Sequence, residues 1–188
     1  MKTKILLLLC LAFFFNACQK TDAPLTPPVA TSQTEPTDVA KKEKCKDIEG
    51  TLDYAITTDF DLECFDCGAP FFDGGNYFGK GKLKHLGKTT SKTTVCLGLL
   101  FDENSNVIGV HVENQCCSFF VDGDEIFLTN DPYDLYINPN TGKAEGTVEF
   151  DFAGGTGKYK HAEGSFTGDV VNDLQGAFTA DIKGKISY

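Results

Sequence analysis

From Ile48 onward, apolar and polar residues alternate with a period of two. Leu52, Tyr54, Ile56, Phe60, Leu62 and Cys64 share one parity, while Asp53, Thr57, Asp59, Asp61 and Glu63 share the other. Successive side chains of a strand point to opposite faces, so this pattern predicts a long, half-buried strand. The same alternation recurs in Val148, Phe150 and Phe152 against Thr147, Glu149 and Asp151. It appears again in Phe178, Ala180, Ile182, Ile186 and Tyr188 against Asp181, Lys183 and Lys185. Further strands are expected near 77–88, 91–101, 107–113, 117–128, 133–137 and 162–171. Turn chemistry separates them at Asp73-Gly74-Gly75, at 102–106, at Asp122-Gly123, at 138–142 and at 172–176. No stretch carries a sustained helical period. Eight or nine antiparallel strands, apolar on one face and charged on the other, predict an all-β barrel or sandwich.

Glycine placement favours the barrel. Gly79, Gly81, Gly146, Gly164, Gly168, Gly176 and Gly184 fall on the apolar parity and so are expected to face inward. There they allow strands to coil tightly enough to close, and they either relieve crowding or leave room for a ligand.

The first 44 residues follow a different pattern. Lys2 and Lys4 precede eleven apolar residues from Ile5 to Phe15, a run too short for a membrane-spanning helix, which needs about 20 residues. This reads as an export signal over 1–17. Phe15-Asn16-Ala17-Cys18 resembles a bacterial lipobox, which implies that Cys18 is acylated and becomes the mature N-terminus. Residues 18–44 carry Pro24, Pro27, Pro28 and Pro36 among Thr, Ala, Ser and Glu, and read as a disordered tether. At about 3.1 Å per residue such a tether spans up to roughly 80 Å. The folded domain is expected over 45–188.

Composition narrows the function classes. After removal of the signal, 27 acids face 15 lysines, a net charge of −12, and the chain has no arginine. Nucleic acid is therefore not an expected partner, and bidentate guanidinium capture of carboxylate or phosphate is absent. In an exported chain Cys45, Cys64, Cys67, Cys96, Cys116 and Cys117 are disulfide candidates, with their pairing left open.

Phe152-Ala153-Gly154-Gly155-Thr156-Gly157-Lys158-Tyr159, followed by Ala162-Glu163-Gly164-Ser165-Phe166-Thr167-Gly168, resembles the Gly-Gly-Thr-Gly-Lys/Arg-Phe/Tyr signature of allene oxide cyclase and dirigent-like barrels. His85-Leu86-Gly87 after Gly81 resembles a second motif of secreted bacterial relatives of that group. The likeness covers about residues 48–188 and implies a calycin-like barrel of eight or nine strands. The arginine and the plant-cyclase proline motif tied to catalysis in that superfamily have no counterpart here, so the likeness does not carry enzyme activity over.

Other chemistry reads as structural. Gly154 to Lys158 is not a phosphate loop, because Phe152 and Tyr159 stand where glycine and a hydroxyl belong and no helix follows. Asp102, Asn104, Asn106 and Glu113 fit four positions of a calcium loop, but Val107 replaces its obligatory glycine, and a hairpin turn is expected instead. Cys64-Phe65-Asp66-Cys67 lacks a second ligand pair for zinc, since Cys116 and Cys117 are adjacent and point apart in a strand. No triad can be built around Ser165. His111 and His161 are expected at the surface. His85 shares the parity of Gly79, Gly81 and Leu83 and is expected inside.

The sequence thus predicts a lipoprotein held in the bacterial cell envelope, at the outer membrane, by a lipid on Cys18. Its barrel either binds a small apolar ligand or serves as a display or structural module. The interior candidates are Tyr54, Leu83, His85, Phe150 and Phe166. No cofactor, metal or catalytic residue is expected. The rival readings are a cyclase or isomerase folding a flexible apolar substrate, with His85 as acid or base, and a surface adhesion or assembly module.

Overall fold

The computed structural model describes residues 44–58, 67 and 73–188. The signal segment, Cys18, the tether up to residue 43 and Cys64 lie outside the described residues. Among those described, the alternating stretches form nine strands: β1 (Lys46–Thr57), β2 (Asp73–Leu83), β3 (Gly87–Phe101), β4 (Val107–Val121), β5 (Asp124–Thr129), β6 (Tyr133–Ile137), β7 (Ala144–Gly155), β8 (Glu163–Asn172) and β9 (Ala177–Ser187). They pair in the order β3-β2-β1-β9-β8-β7-β5-β4, and β4 pairs back onto β3. The sheet is therefore a closed antiparallel barrel of eight staves and not a sandwich.

The ninth strand continues one of the staves. β6 pairs with β4 from Gly109↔Tyr136 to Val112↔Tyr133, and with β7 at Tyr136↔Glu145 and Ile137↔Ala144. β5 lies between the same two neighbours further along, at Cys117↔Leu128 and Thr129↔Asp151. Asn130-Asp131-Pro132 breaks this stave, at a proline that has no N–H to give to a ladder.

β4 joins the strand expected near 107–113 to the first part of the one expected near 117–128, whose second part is β5. Its register with β3 shifts between Thr94↔Cys116 and Val95↔Asn114, a bulge at Gln115. Buried residues are Val110 and Val112 before the bulge and Phe119 and Val121 after it, so the parity flips along one continuous strand.

Stacked aromatics fill the interior. Tyr54 stacks on Phe178 with ring centroids 4.3 Å apart. Phe166 meets Phe119, Phe150 and Phe152 at 5.4, 5.0 and 5.3 Å. Gly79, paired with Tyr54, is needed here, because a Cβ on it would come within 2.5 Å of the Tyr54 ring.

The Gly-Gly-Thr-Gly-Lys-Tyr string closes one end. Thr156 N–H donates to Glu125 O at 2.8 Å, and Glu125 N–H donates back to Thr156 Oγ1 at 2.8 Å. Gly157 has φ +50°, a left-handed conformation that favours glycine, and a Cβ on it would displace the Asp124 carboxylate. The short 3-10 turn that follows (Gly157–Tyr159) buries Tyr159 to 1% exposure, edge-on to Tyr188, whose ring lies 3.6 Å below Lys46 Nζ. The same end carries the start of β1, so the motif plugs the barrel where the chain enters the domain.

Cys67 is bridged to Cys96, which is fully buried on β3, and Cys45 and Cys116 are each in a disulfide. Cys117 is a free thiol, which corrects its place among the disulfide candidates. Neighbours on one strand leave opposite faces, and Cys117 enters the barrel, where no other described cysteine lines the interior cavity.

The Cys67–Cys96 bridge joins residues 29 apart. On the loop-entropy model, changing both to serine should cost about 3–4 kcal/mol. Guanidinium unfolding of the two proteins checks this, and a loss below about 1 kcal/mol would show that the bridge hardly restricts the unfolded chain.

Candidate functional site: the barrel interior

The inward row of β3 is polar where it passes mid-barrel. Thr89, Ser91 and Thr93 are 0%, 0% and 3% exposed, on the same parity as Val95. Across from Thr93 on β4 is Cys117, and beyond the bulge is Asn114. Tyr54 from β1 and Tyr133 from β6 complete a polar cluster around a cavity of about 30 Å³. Its other walls are apolar, chiefly Leu128, Val148, Phe150, Phe166 and Phe178.

The cluster is buried enough to disfavour ionisation. Burial pushes the Cys117 thiol up to about 11, partly opposed by the neighbouring Thr93 and Ser91 hydroxyls. Burial, with Cys117 nearby, likewise holds the Tyr54 and Tyr133 phenols above their ordinary value. Ser91 lies beside both Tyr54 and Cys117, and Thr93 beside Cys117. Yet neither hydroxyl reaches hydrogen-bonding geometry with a protein group. A buried hydroxyl left in that condition costs about 1–3 kcal/mol.

Of the interior candidates, Tyr54, Phe150 and Phe166 line this cavity. Leu83 is fully buried elsewhere, against Gly50. His85 is corrected: it does not face the interior but is exposed in the turn between β2 and β3. β2 ends at Leu83, and the turn closes with Lys84 N–H donating to Glu49 O at 2.8 Å and Leu86 N–H donating to Leu83 O at 3.2 Å. Strand parity lapses once the chain turns. His85 takes the left-handed conformation at φ +64°, and Leu86, 4% exposed, occupies the inward place. The residues that the alternation did not single out are Ser91, Thr93, Asn114, Cys117 and Tyr133. Their signal was present, since Thr89, Ser91 and Thr93 continue the inward parity of Val95.

The remaining motifs are structural or superficial. Asp102 Oδ1 accepts the N–H groups of Asn104 and Asn106 at 2.8 Å each, and Oδ2 accepts Asn106 Nδ2 at 2.9 Å. Those bonds, the Asn106 side chain foremost, hold the carboxyl below its ordinary value and make this a hairpin turn. His111 Nδ1 lies 2.7 Å from Asp134 Oδ1 on the outer face, and His161 is exposed.

A second recess of about 310 Å³ opens on the outside at the broken stave. It lies between residues 129–133 and the stretch of β7 from Thr147 to Asp151, and is lined by the carboxylates of Asp131, Glu149 and Asp151. Tyr133 and Val148 line both recess and interior cavity, so they form the partition between them.

No family model matches the chain, and no curated protein matches it. Among solved structures it is similar to the pterocarpan synthase dirigent protein GePTS1, at 10% identity over 84% of this chain and 97% of that one, with a TM-score of 0.29. The barrel assignment rests on the strand pairing of this chain itself.

Two outcomes follow from this geometry. Alkylation of Cys117 in the folded protein should be slow at pH 8 and rise about tenfold per pH unit until near 11, because only the thiolate reacts. A plateau near pH 8.5, read by mass spectrometry, would mean an ordinary exposed thiol. His85→Gly should stabilise the domain by roughly 0.5–1 kcal/mol, by relieving a left-handed backbone. A marked loss in urea unfolding would instead give the imidazole a structural contact.

Proposed function

We propose that this chain is an envelope lipoprotein, anchored through Cys18, whose barrel is a filled, non-catalytic structural or display module. The observation that carries the reading is the interior volume. Pockets for small organic ligands hold about 300–1,000 Å³, whereas the stacked rings of Tyr54, Phe119, Phe150, Phe166 and Phe178 leave about 30 Å³. The cyclase reading also loses its acid or base, because His85 sits in an exposed turn.

What remains for recognition is the outer surface. Outward positions carry Asp53, Glu149, Asp151, Glu163, Asp169 and Asp181, all exposed. A domain of net charge −12 beyond the signal is repelled by anionic headgroups, and the tether gives it length to stand away from them. In this reading the barrel presents an acidic face to a partner outside the membrane.

Two measurements test the proposal. Cys18→Ala should lose the acyl label and leave the membrane fraction, and a variant that still sediments with membranes removes the anchor. Titration of the full chain with fatty acids and with small phenols should show no saturable binding. Binding tighter than about 100 µM that Phe166→Trp abolishes would replace the display reading with ligand carriage.

A further inference from the structure

We propose that the polar recess inside the barrel is a binding site for about two internal water molecules, which enter through the broken β5–β6 stave with Tyr133 as the door. A water needs roughly 10–15 Å³ of such space and two to four polar partners, so the cavity of about 30 Å³ holds about two. The partners are in place. Ser91 and Thr93 are 0% and 3% exposed, and their hydroxyls find no protein partner. Thr93, Cys117, Asn114, Tyr54 and Tyr133 line the cavity itself. Buried hydroxyls in folded proteins are nearly always satisfied by protein or by water, and here the protein supplies no bond. The wall of Val148, Phe150 and Phe178 offers none, which holds the waters against the polar groups of Thr93, Asn114, Cys117, Tyr54 and Tyr133.

The route is set by the backbone. Between Thr129↔Asp151 and Tyr136↔Glu145, β7 has no ladder partner on this flank, and the outer recess of about 310 Å³ occupies the gap. Tyr133 follows Pro132 at the restart of the stave and separates recess from cavity. Asn114 Nδ2 donates to Asn130 Oδ1 at 3.0 Å, and Asn130 Nδ2 donates to Asp131 O at 2.6 Å, which ties the break to the cavity wall. At the other candidate entrance Tyr159 fills the barrel end at 1% exposure.

Oxygen-17 relaxation dispersion of the full chain counts long-lived waters. About two are expected in the parent, about one in Thr93→Val, and none in the Ser91→Ala, Thr93→Val double variant. Tyr133→Ala should shorten the residence time and raise the rate at which methyl methanethiosulfonate modifies Cys117 by roughly tenfold or more. Tyr133→Phe, which keeps the ring, should leave both rates as in the parent. Unchanged circular dichroism confirms that each variant is folded, and should Tyr133→Ala fail to fold, Asn130→Ala loosens the same break. A parent with no long-lived water overturns the site. A Tyr133→Ala protein, or in its place Asn130→Ala, with parental exchange and parental thiol modification overturns the door.

Discussion

When β4 pairs back onto β3, from Thr89↔Val121 to Phe101↔Val107, the sheet loses its free edges and its two faces become an inside and an outside. Everything else in the domain answers to that closure. An eight-staved barrel encloses a space that inward side chains must fill, which is why Tyr54 lies over Gly79 and Phe166 is held among three other rings. Closure also accounts for the bulge at Gln115. The extra residue in the long β4 resets its parity so that both Val112 and Phe119 are buried.

The ends are treated differently from the wall. Near the start of β1 the Gly-Gly-Thr-Gly-Lys-Tyr loop bonds reciprocally to Glu125 and drives Tyr159 into the opening. The glycine-rich string that invites a phosphate reading thus works as a plug, and its lysine lies outside, 3.1 Å from Asp122 Oδ2. Both partners are exposed, so this pair adds little to stability.

The stacked rings leave the interior only about 30 Å³. The interior polarity at Ser91, Thr93 and Cys117 is too confined for organic substrate, and burial keeps the thiol and phenols protonated. The outward carboxylates of Asp53, Glu149, Asp151, Glu163, Asp169 and Asp181, by contrast, are solvated. In the proposed reading, Cys18 sets where the protein is held and the outward carboxylates set what it meets.

Much of this was legible in the alternation itself. Period two, with turn residues between the runs, specified an all-β domain. The strands near 133–137 and 162–171 and the turns at 102–106 and Asp122-Gly123 were readable because each is a local event. Parity failed at His85, because β2 ends at Leu83, five residues before the end at 88 that the pattern suggests, and in β4, where a bulge mimics two strands. Which cysteines pair, which polar residues meet inside, and whether the interior is open depend on stave number, register and the volumes of rings brought together from β1, β7, β8 and β9. Those are sums over distant segments. Sequence alone determined which face of each strand is apolar, because that is a property of neighbours two residues apart; only closure of the sheet decided what those faces enclose.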